Sequence, residues 1–254
     1  AVAAALLKKR GYEVVGVFMK NWSLDIGQGC PWVDDQRSAR QVAAHLSIPF
    51  YTFNFEQEYK ARVVDYFLAE YAAGRTPNPD IKCNEVIKFK AFIEEARKLD
   101  ITHIATGHYA RIRHTVNGAD LLKGVDPAKD QSYFLYRVPQ LALKNCFFPI
   151  GGYTKKHVRA LAKKFGLPNA ERPDSQGICF MGEISVRRFL KDQLAPPVGP
   201  IVTAEGQYLG EHEGLALYTI GQRHGLKVGG GTPYYVAQKQ VATNTLVVAK
   251  GRKH

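Results

Sequence analysis

Ala1 to Arg10 keep their apolar residues at helical spacing and run into Gly11, a residue able to take the left-handed conformation that stops a helix. Tyr12 to Met19 is then mostly apolar and rich in valine with little polar alternation, which predicts a strand buried on both faces. The pattern predicts a helix within Asp34–Leu46, a strand over Phe50–Phe55, and long helices over Tyr59–Ala73 and Ile87–Leu99. Thr102–Thr106 reads as a further short buried strand. Alternation of this kind predicts a parallel sheet covered by helices on both faces. From about Gly199 the texture changes to short β-rich segments, Gln207–Leu209, Ala216–Ile220, Tyr234–Ala237 and Thr245–Ala249, separated by Gly, Pro and Asn. That is the pattern of a smaller all-β or mixed module. Between the two textures, Thr154 and Ser185 stand where helix N-caps belong. Their helices turn Val158, Leu161 and Phe165, and Val186, Phe189 and Leu190, inward and leave Lys and Arg outside.

A chain of 254 residues, 45% hydrophobic and 23% charged, has enough apolar material for one large domain or for one domain with a smaller partner. No apolar run approaches the roughly 18 residues that a membrane helix requires, so no membrane role is expected. The net charge of +12 favours an acidic partner. Half of that excess lies in Gly151–Lys191, where nine Lys and Arg face three acids. A solvated pair of helices and a phosphate-binding face both fit this charge. The four cysteines, at 30, 83, 146 and 179, form no CxxC pair, which argues against a zinc site or a disulfide scaffold; no metal ligands are assigned. The first residue is Ala, so the true start is expected upstream, with any targeting segment out of view.

Candidate chemistry concentrates in a few segments. RTPNPDIKCN, Arg75 to Asn84, reads as a non-helical loop in which Asp80 precedes Cys83 by three residues. A carboxylate beside an exposed thiol suits proton exchange and nucleophilic attack, and a helix-capping Asp is the structural alternative. RPDSQGICF, Arg172 to Phe180, carries Cys179 in a basic setting that favours the thiolate; a thiol buried between Ile178 and Phe180 is the alternative. ATGHYA, Ala105 to Ala110, follows a strand with a Gly that lets backbone approach a ligand, and its His108 is either catalytic or structural. Lys129, Asp130 and Gln131 precede the aromatics Tyr133, Phe134 and Tyr136 and suit nucleic acid or simple packing. Cys30 and Cys146 stand in no comparable setting and are read as nonessential. Neither GxxxxGK[ST] nor GxGxxG occurs, so pattern alone leaves nucleotide binding unproven.

These segments, together with GVFMKNW (16–22), GRTPNPDIKCN (74–84), IKF (87–89), KDQSYFLY (129–136), FPIGGYTK (148–155), DSQGICFMGE (174–183) and YTIGQRHGL (218–226), resemble the tRNA-specific 2-thiouridylase family over nearly the whole chain. The resemblance implies an α/β fold of the adenine nucleotide alpha hydrolase-like (PP-loop ATPase) type over residues 1–188, with 145–167 able to pack with a small adaptor, tRNA-binding domain over 189–254. It implies ATP-dependent 2-thiolation of the tRNA wobble uridine, by adenylation of the carbon-2 oxygen and attack by a cysteine persulfide. By the same resemblance Cys179 carries the persulfide, Cys83 is its partner thiol and Asp80 the acid/base. Asn78, Pro79 and Asp80 match the contact to the target base, Met19 and Gly107 nucleotide contacts, and Lys129, Asp130 and Gln131 a tRNA contact. ATP with Mg2+, tRNAs for Lys, Glu and Gln, and a sulfur-donor protein are the implied cofactors and partners, in the bacterial cytoplasm or the mitochondrial matrix. The family's phosphate-binding loop, SGGVDS, is expected just before Ala1, and its C-terminal β-barrel just after His254. A carboxylate-adenylating amide ligase, a noncatalytic tRNA-binding protein and a redox-sensing thiol protein are the competing readings.

Overall fold

The computed structural model describes residues 1–23, 31–173, 185–229 and 231–251. These divide into two compact units, one of Ala1–Val63 with Pro79–Gly182, the other of Val64–Asn78 with Glu183–His254.

The first unit begins with α1 (Val2–Lys9), which buries Val2, Ala5, Leu6 and Leu7. Gly11 adopts φ +85°, its N–H bonds the Lys8 carbonyl and the Tyr12 N–H bonds the Leu7 carbonyl, a left-handed closure of the helix. Because Tyr12 belongs to that closure, β1 covers only Gly16–Lys20 rather than starting at Tyr12, and its residues are half-buried rather than buried. It pairs in parallel with β2 (Phe50–Asn54) across α2 (Pro31–His45). The predicted helix after β2 is broken into α3 (Glu56–Tyr59), a π-helical stretch over Lys60–Val64, and α4 (Asp65–Ala72). α4 falls in the second unit.

The predicted loop over 75–84 is corrected at its far end. Helix α5 already begins at Pro79 and runs to Cys83, continues as a π-helix over Asn84–Ala91, and ends as α6 (Phe92–Arg97). Proline suits the first turn of a helix, where its missing N–H has no intrahelical acceptor to leave unpaired. Ile87, Phe89, Ile93 and Ala96 bury one side of this composite helix. Phe89, Ile93 and Ala96 pack on β3 (Ile104–Ala105), on the antiparallel hairpin β4 (Ala110–Thr115) and β5 (Gly118–Lys123), on α7 (Gln140–Leu143), and on β6 (Cys146–Phe147), which pairs in parallel with β3. The periodicity did not reveal the β4–β5 hairpin, whose strands are short, the first mostly exposed and the second mostly half-buried. Its close approach to the turn after β6 demands glycine, since a Cβ on Gly151 would sit 1.6 Å from the Ala110 carbonyl oxygen. Helix α8 (Lys155–Lys164) completes the unit. Thr154 caps it as predicted by accepting from the His157 N–H, and Val158 and Ala162 pack on Val2, Leu6 and Val42.

In the second unit α9 (Val186–Leu194) is capped as predicted, Ser185 accepting from the Arg188 N–H. Phe189 and Leu190 are buried, and the Phe189 ring lies 6.3 Å from that of Phe67 on α4. A four-stranded sheet follows in the order β8 (Tyr208–His212), β7 (Gly199–Thr203), β10 (Thr245–Lys250), β9 (Tyr234–Gln240). β7 and β10 are parallel and the other pairs antiparallel. The expected strand over Ala216–Ile220 is instead a 3-10 turn at Leu215–Leu217, whose three side chains are all buried. An apolar run of that length reads alike as a strand or a buried turn, and only packing separates them.

Candidate functional site

Asp80 and Cys83 sit on α5, three residues apart, and therefore on one face of the helix with Cβ atoms about 5–6 Å apart. Cys83 is not the exposed loop thiol that its flanking prolines suggested. It is 2% exposed. Asp80 is half-buried, and burial holds its carboxyl above the usual range, a tendency opposed by the positive charge of Lys88. A carboxyl group shifted in this direction binds a proton more readily than an exposed one.

His108 lies after β3, with its ring between Phe89 (centroids 5.8 Å apart) and Phe148 (5.7 Å). Its Nδ1 is 2.7 Å from the Thr106 hydroxyl. Burial first, and Lys88 second, push the imidazole down to about 3, so it is neutral at physiological pH and acts as a hydrogen-bonding rather than a charged group. Asn84, 1% exposed, donates from Nδ2 to the Phe134 carbonyl at 3.1 Å and thereby ties the Cys83 helix to the segment that follows Lys129–Gln131. Its Oδ1 is buried with no hydrogen-bond partner among the described residues. Sequence reasoning missed Asn84 and Lys88 as contributors. Asn84 adjoins the motif cysteine, but its cross-chain bond has no linear signature.

The three residues of KDQ divide. Asp130 accepts from the Gly124 and Ser132 N–H groups and from the Ser132 hydroxyl, bonds that outweigh its burial and hold the carboxyl below the ordinary range. Gln131 exchanges backbone and side-chain bonds with Tyr109, its N–H to the Tyr109 carbonyl and its Oε1 to the Tyr109 N–H. Both brace the loop from inside, whereas Lys129 is exposed.

Met19 is the penultimate residue of β1, and Gly107 follows β3 by two residues. Both thus lie at carboxyl ends of parallel strands, the edge where α/β sheets bind ligands. A cavity of about 860 Å³ opens between the two strand pairs, bordered by Val17, Ile104, Gly107 and the cations Lys155, Arg159 and Arg172; Met19 is not among its lining residues. Among the described residues no three His, Cys, Asp or Glu side chains gather as a metal cage.

The basic band is largely engaged in structure. Arg159 donates to the Ala170 and Arg172 carbonyls, Lys163 pairs with Glu171, and Arg172 pairs with Asp35. In the second unit Arg187 and Lys191 of α9, with Lys227, converge on Glu213 and hold its carboxyl far below the carboxylate range. Cys146, the other described thiol, donates to the Ala142 carbonyl at 2.9 Å and is pushed up to about 12 by burial, an inert core thiol as its setting in the sequence suggested. Asn78 is exposed and Pro79 buried. Cys30 and Cys179 lie outside the described residues, as does all of DSQGICFMGE.

Comparison with known proteins identifies two family domains in succession. Residues 1–183 match the tRNA methyl transferase HUP domain and residues 187–250 the tRNA methyl transferase PRC-barrel domain. The chain is 47% identical over 260 residues to the tRNA-specific 2-thiouridylase MnmA of Enterococcus faecalis, covering all of this chain and 70% of that protein. It is 49% identical over 258 residues to MnmA 1 of Geobacillus kaustophilus, again covering 70% of the relative. The MnmA of Verminephrobacter eiseniae is 49% identical over 269 residues, 73% of its length. Identity at this level along the whole chain, over both domains and the Asp80–Cys83 helix, places the chain in the tRNA-specific 2-thiouridylase family.

Proposed function

We propose that this protein is the enzyme that converts a tRNA uridine to 2-thiouridine at the expense of ATP, with Cys83 and Cys179 handling the sulfur and Asp80 the proton. The observation that carries this reading is the pairing, on one helix face, of a buried thiol with a carboxyl held above its ordinary range, in a chain 47–49% identical to 2-thiouridylases. The matched domains are described as methyl transferase domains, whereas the relatives are named for thiolation. A paired carboxyl and thiol serve sulfur transfer directly, which favours the relatives' description.

In this reading ATP converts the carbon-2 oxygen of the uridine into an adenylate, releasing pyrophosphate. The outer sulfur of a persulfide on Cys179 attacks carbon-2, and AMP leaves with the former carbonyl oxygen. Cys83 then attacks the Sγ of Cys179, the sulfur–sulfur bond to the base breaks, and its electron pair forms the thiocarbonyl. A disulfide between Cys83 and Cys179 remains, and a thiol reductant returns it to two thiols. Asp80 takes the proton from Cys83 or from the base. Neutral His108 and the Asn84 Oδ1 supply hydrogen-bonding groups on the same unit.

The carboxyl ends of β1 and β3 suit a nucleotide, because Gly107 admits close backbone approach with nothing nearer than 4.0 Å to where a Cβ would stand. Met19 and Gly107 would hold the adenosine, and Mg2+ would arrive on the phosphates, neutralising charge on the pyrophosphate leaving group. Lys129, with Asn78 and Pro79 near the target base, would contact tRNA. Those for Lys, Glu and Gln, a persulfide-carrying donor protein and a cytoplasmic setting complete the proposal. The test supplies full-length protein with ATP, Mg2+, a persulfide-carrying sulfur donor, a thiol reductant and unmodified tRNA and analyses the nucleosides. Thiouridine that vanishes in both Cys83→Ala and Cys179→Ala supports the reading, and thiouridine that survives either change overturns the proposed relay.

A further inference from the structure

We infer that Tyr133 and Tyr136 form a stacking platform for unpaired nucleobases of the RNA substrate, carried on the segment that is hydrogen-bonded to the residue beside Cys83. The inference deepens the proposed function and rests on it for the identity of the RNA.

The sequence leaves the aromatics Tyr133, Phe134 and Tyr136 open between packing and nucleic acid, and burial divides them. Tyr133 is 58% and Tyr136 67% exposed, whereas Leu135 and Val138 are buried. The backbone explains the division. Phe134, Leu135 and Val138 each donate an N–H to the carbonyl three residues back, on Gln131, Ser132 and Leu135, at 3.0 Å. Turns of that period bring residues three apart onto one side. Leu135 and Val138 therefore share the inner side and join the core that contains Phe89, and Tyr133 and Tyr136 share the outer side.

Bonds along its length hold this segment in place. Asp130 accepts from the Ser132 N–H and hydroxyl, and Gln131 exchanges two bonds with the Tyr109 backbone. The Tyr133 ring is backed by Phe134, with centroids 4.0 Å apart. Two more bonds fasten the segment to the residues that follow Cys83: Asn84 donates to the Phe134 carbonyl at 3.1 Å, and Arg137 pairs with Glu85 at 3.0 Å. A ring on a backbone already fixed loses little freedom when it meets a base.

The charge around the rings selects the partner. Asp130, the acid of the segment, is committed to Gly124 and Ser132, while Lys129 and Arg137 at its two ends are exposed. Phosphates of a single-stranded loop complement those cations, and its unstacked bases offer π faces to the tyrosines. In the proposed function the target uridine is presented to Cys83, so the bases that reach the platform would be its neighbours in the loop.

The experiment measures binding of end-labelled, unmodified tRNA by fluorescence anisotropy over a range of salt. It uses full-length parent, Tyr133→Ala, Tyr136→Ala, Tyr133→Phe and Tyr136→Phe. Both side chains are exposed, so the alanine variants keep the fold, which thermal unfolding checks. Each alanine is expected to weaken binding by about tenfold, and each phenylalanine, which keeps the ring, to stay within about twofold. No phosphate contact is removed, so the slope of log affinity against log salt stays that of the parent, whereas Lys129→Ala makes it shallower by about one. Parental affinity in both alanine variants overturns the inference, as does an equal loss with phenylalanine or a shallower salt slope in the alanine variants. Unchanged tRNA affinity with slower sulfur transfer from the donor assigns the face to a protein partner and overturns it too. If binding depends on the tyrosines but the parent forms no thiouridine, the platform stands and the proposed function falls. If the parent thiolates tRNA while the alanine variants bind as it does, the reverse holds, and a parent that binds no tRNA overturns both.

Discussion

The two described thiols are both buried, yet their surroundings are opposite. Cys146 lies among Ile104, Ala142, Leu143 and Phe148, gives its proton to a backbone carbonyl, and is held protonated by burial. Cys83 is scarcely more exposed, but its helix carries Asp80 one turn before it and Asn84 beside it. Burial alone therefore does not decide whether a thiol is chemically useful. What decides it is whether polar and charged groups are packed in with the sulfur, where the low dielectric strengthens their effect.

The largest effect that would break this contrast is at Cys83 itself. Cys83→Ala is expected to lower thiouridine formation by about three orders of magnitude or more, as for loss of a nucleophile, whereas Cys146→Ala leaves the rate per folded molecule unchanged; quantifying thiouridine per active protein decides it. Asp80→Asn, which keeps the shape and removes the proton acceptor, is expected to slow the reaction by about 10²-fold or more with little change in thermal stability, and single-turnover kinetics at saturating ATP measure it.

His108 sharpens the comparison through pH. Its folded value of about 3 lies below the unfolded value of 6.5, so the unfolded chain binds the extra proton between those limits. The stability that His108 contributes is complete above pH 6.5 and falls away as the pH drops toward 3, at no more than about 1.4 kcal/mol per unit. Urea unfolding of His108→Gln at pH 7 and pH 4.5 should show a shallower acid decline than the parent; parallel declines would contradict a buried neutral imidazole. The smallest effect belongs to the inert thiol. Cys146→Ala removes one core sulfur and its bond to Ala142, and should cost about 1–2 kcal/mol of unfolding free energy, seen as a shifted denaturation midpoint with unchanged slope.

Much of the scaffold was legible in the chain. Gly11 stopped α1, Thr154 and Ser185 capped α8 and α9, and β1, β2 and β3 fell close to where apolar runs placed them, because caps and burial patterns act over a few neighbouring residues; β6 had no such signal. Two prolines made 75–84 look like a loop throughout, yet one of them opens α5, since proline is as acceptable in a first helical turn as in a bend. The charge of Gly151–Lys191 read equally as a solvated or a phosphate-binding face. Of its described cations, Lys163, Arg172, Arg187, Lys191 and Arg159 prove to be held by Glu171, Asp35, Glu213 and backbone carbonyls.

The sequence by itself determined the family, the alternating α/β order and the three-residue spacing of Asp80 and Cys83, because each is carried by contiguous residues. Only the tertiary structure decided that the thiol is buried and that Asp130 and Gln131 brace their own loop. The reason is physical: burial and hydrogen bonds between distant segments leave no trace in the order of residues.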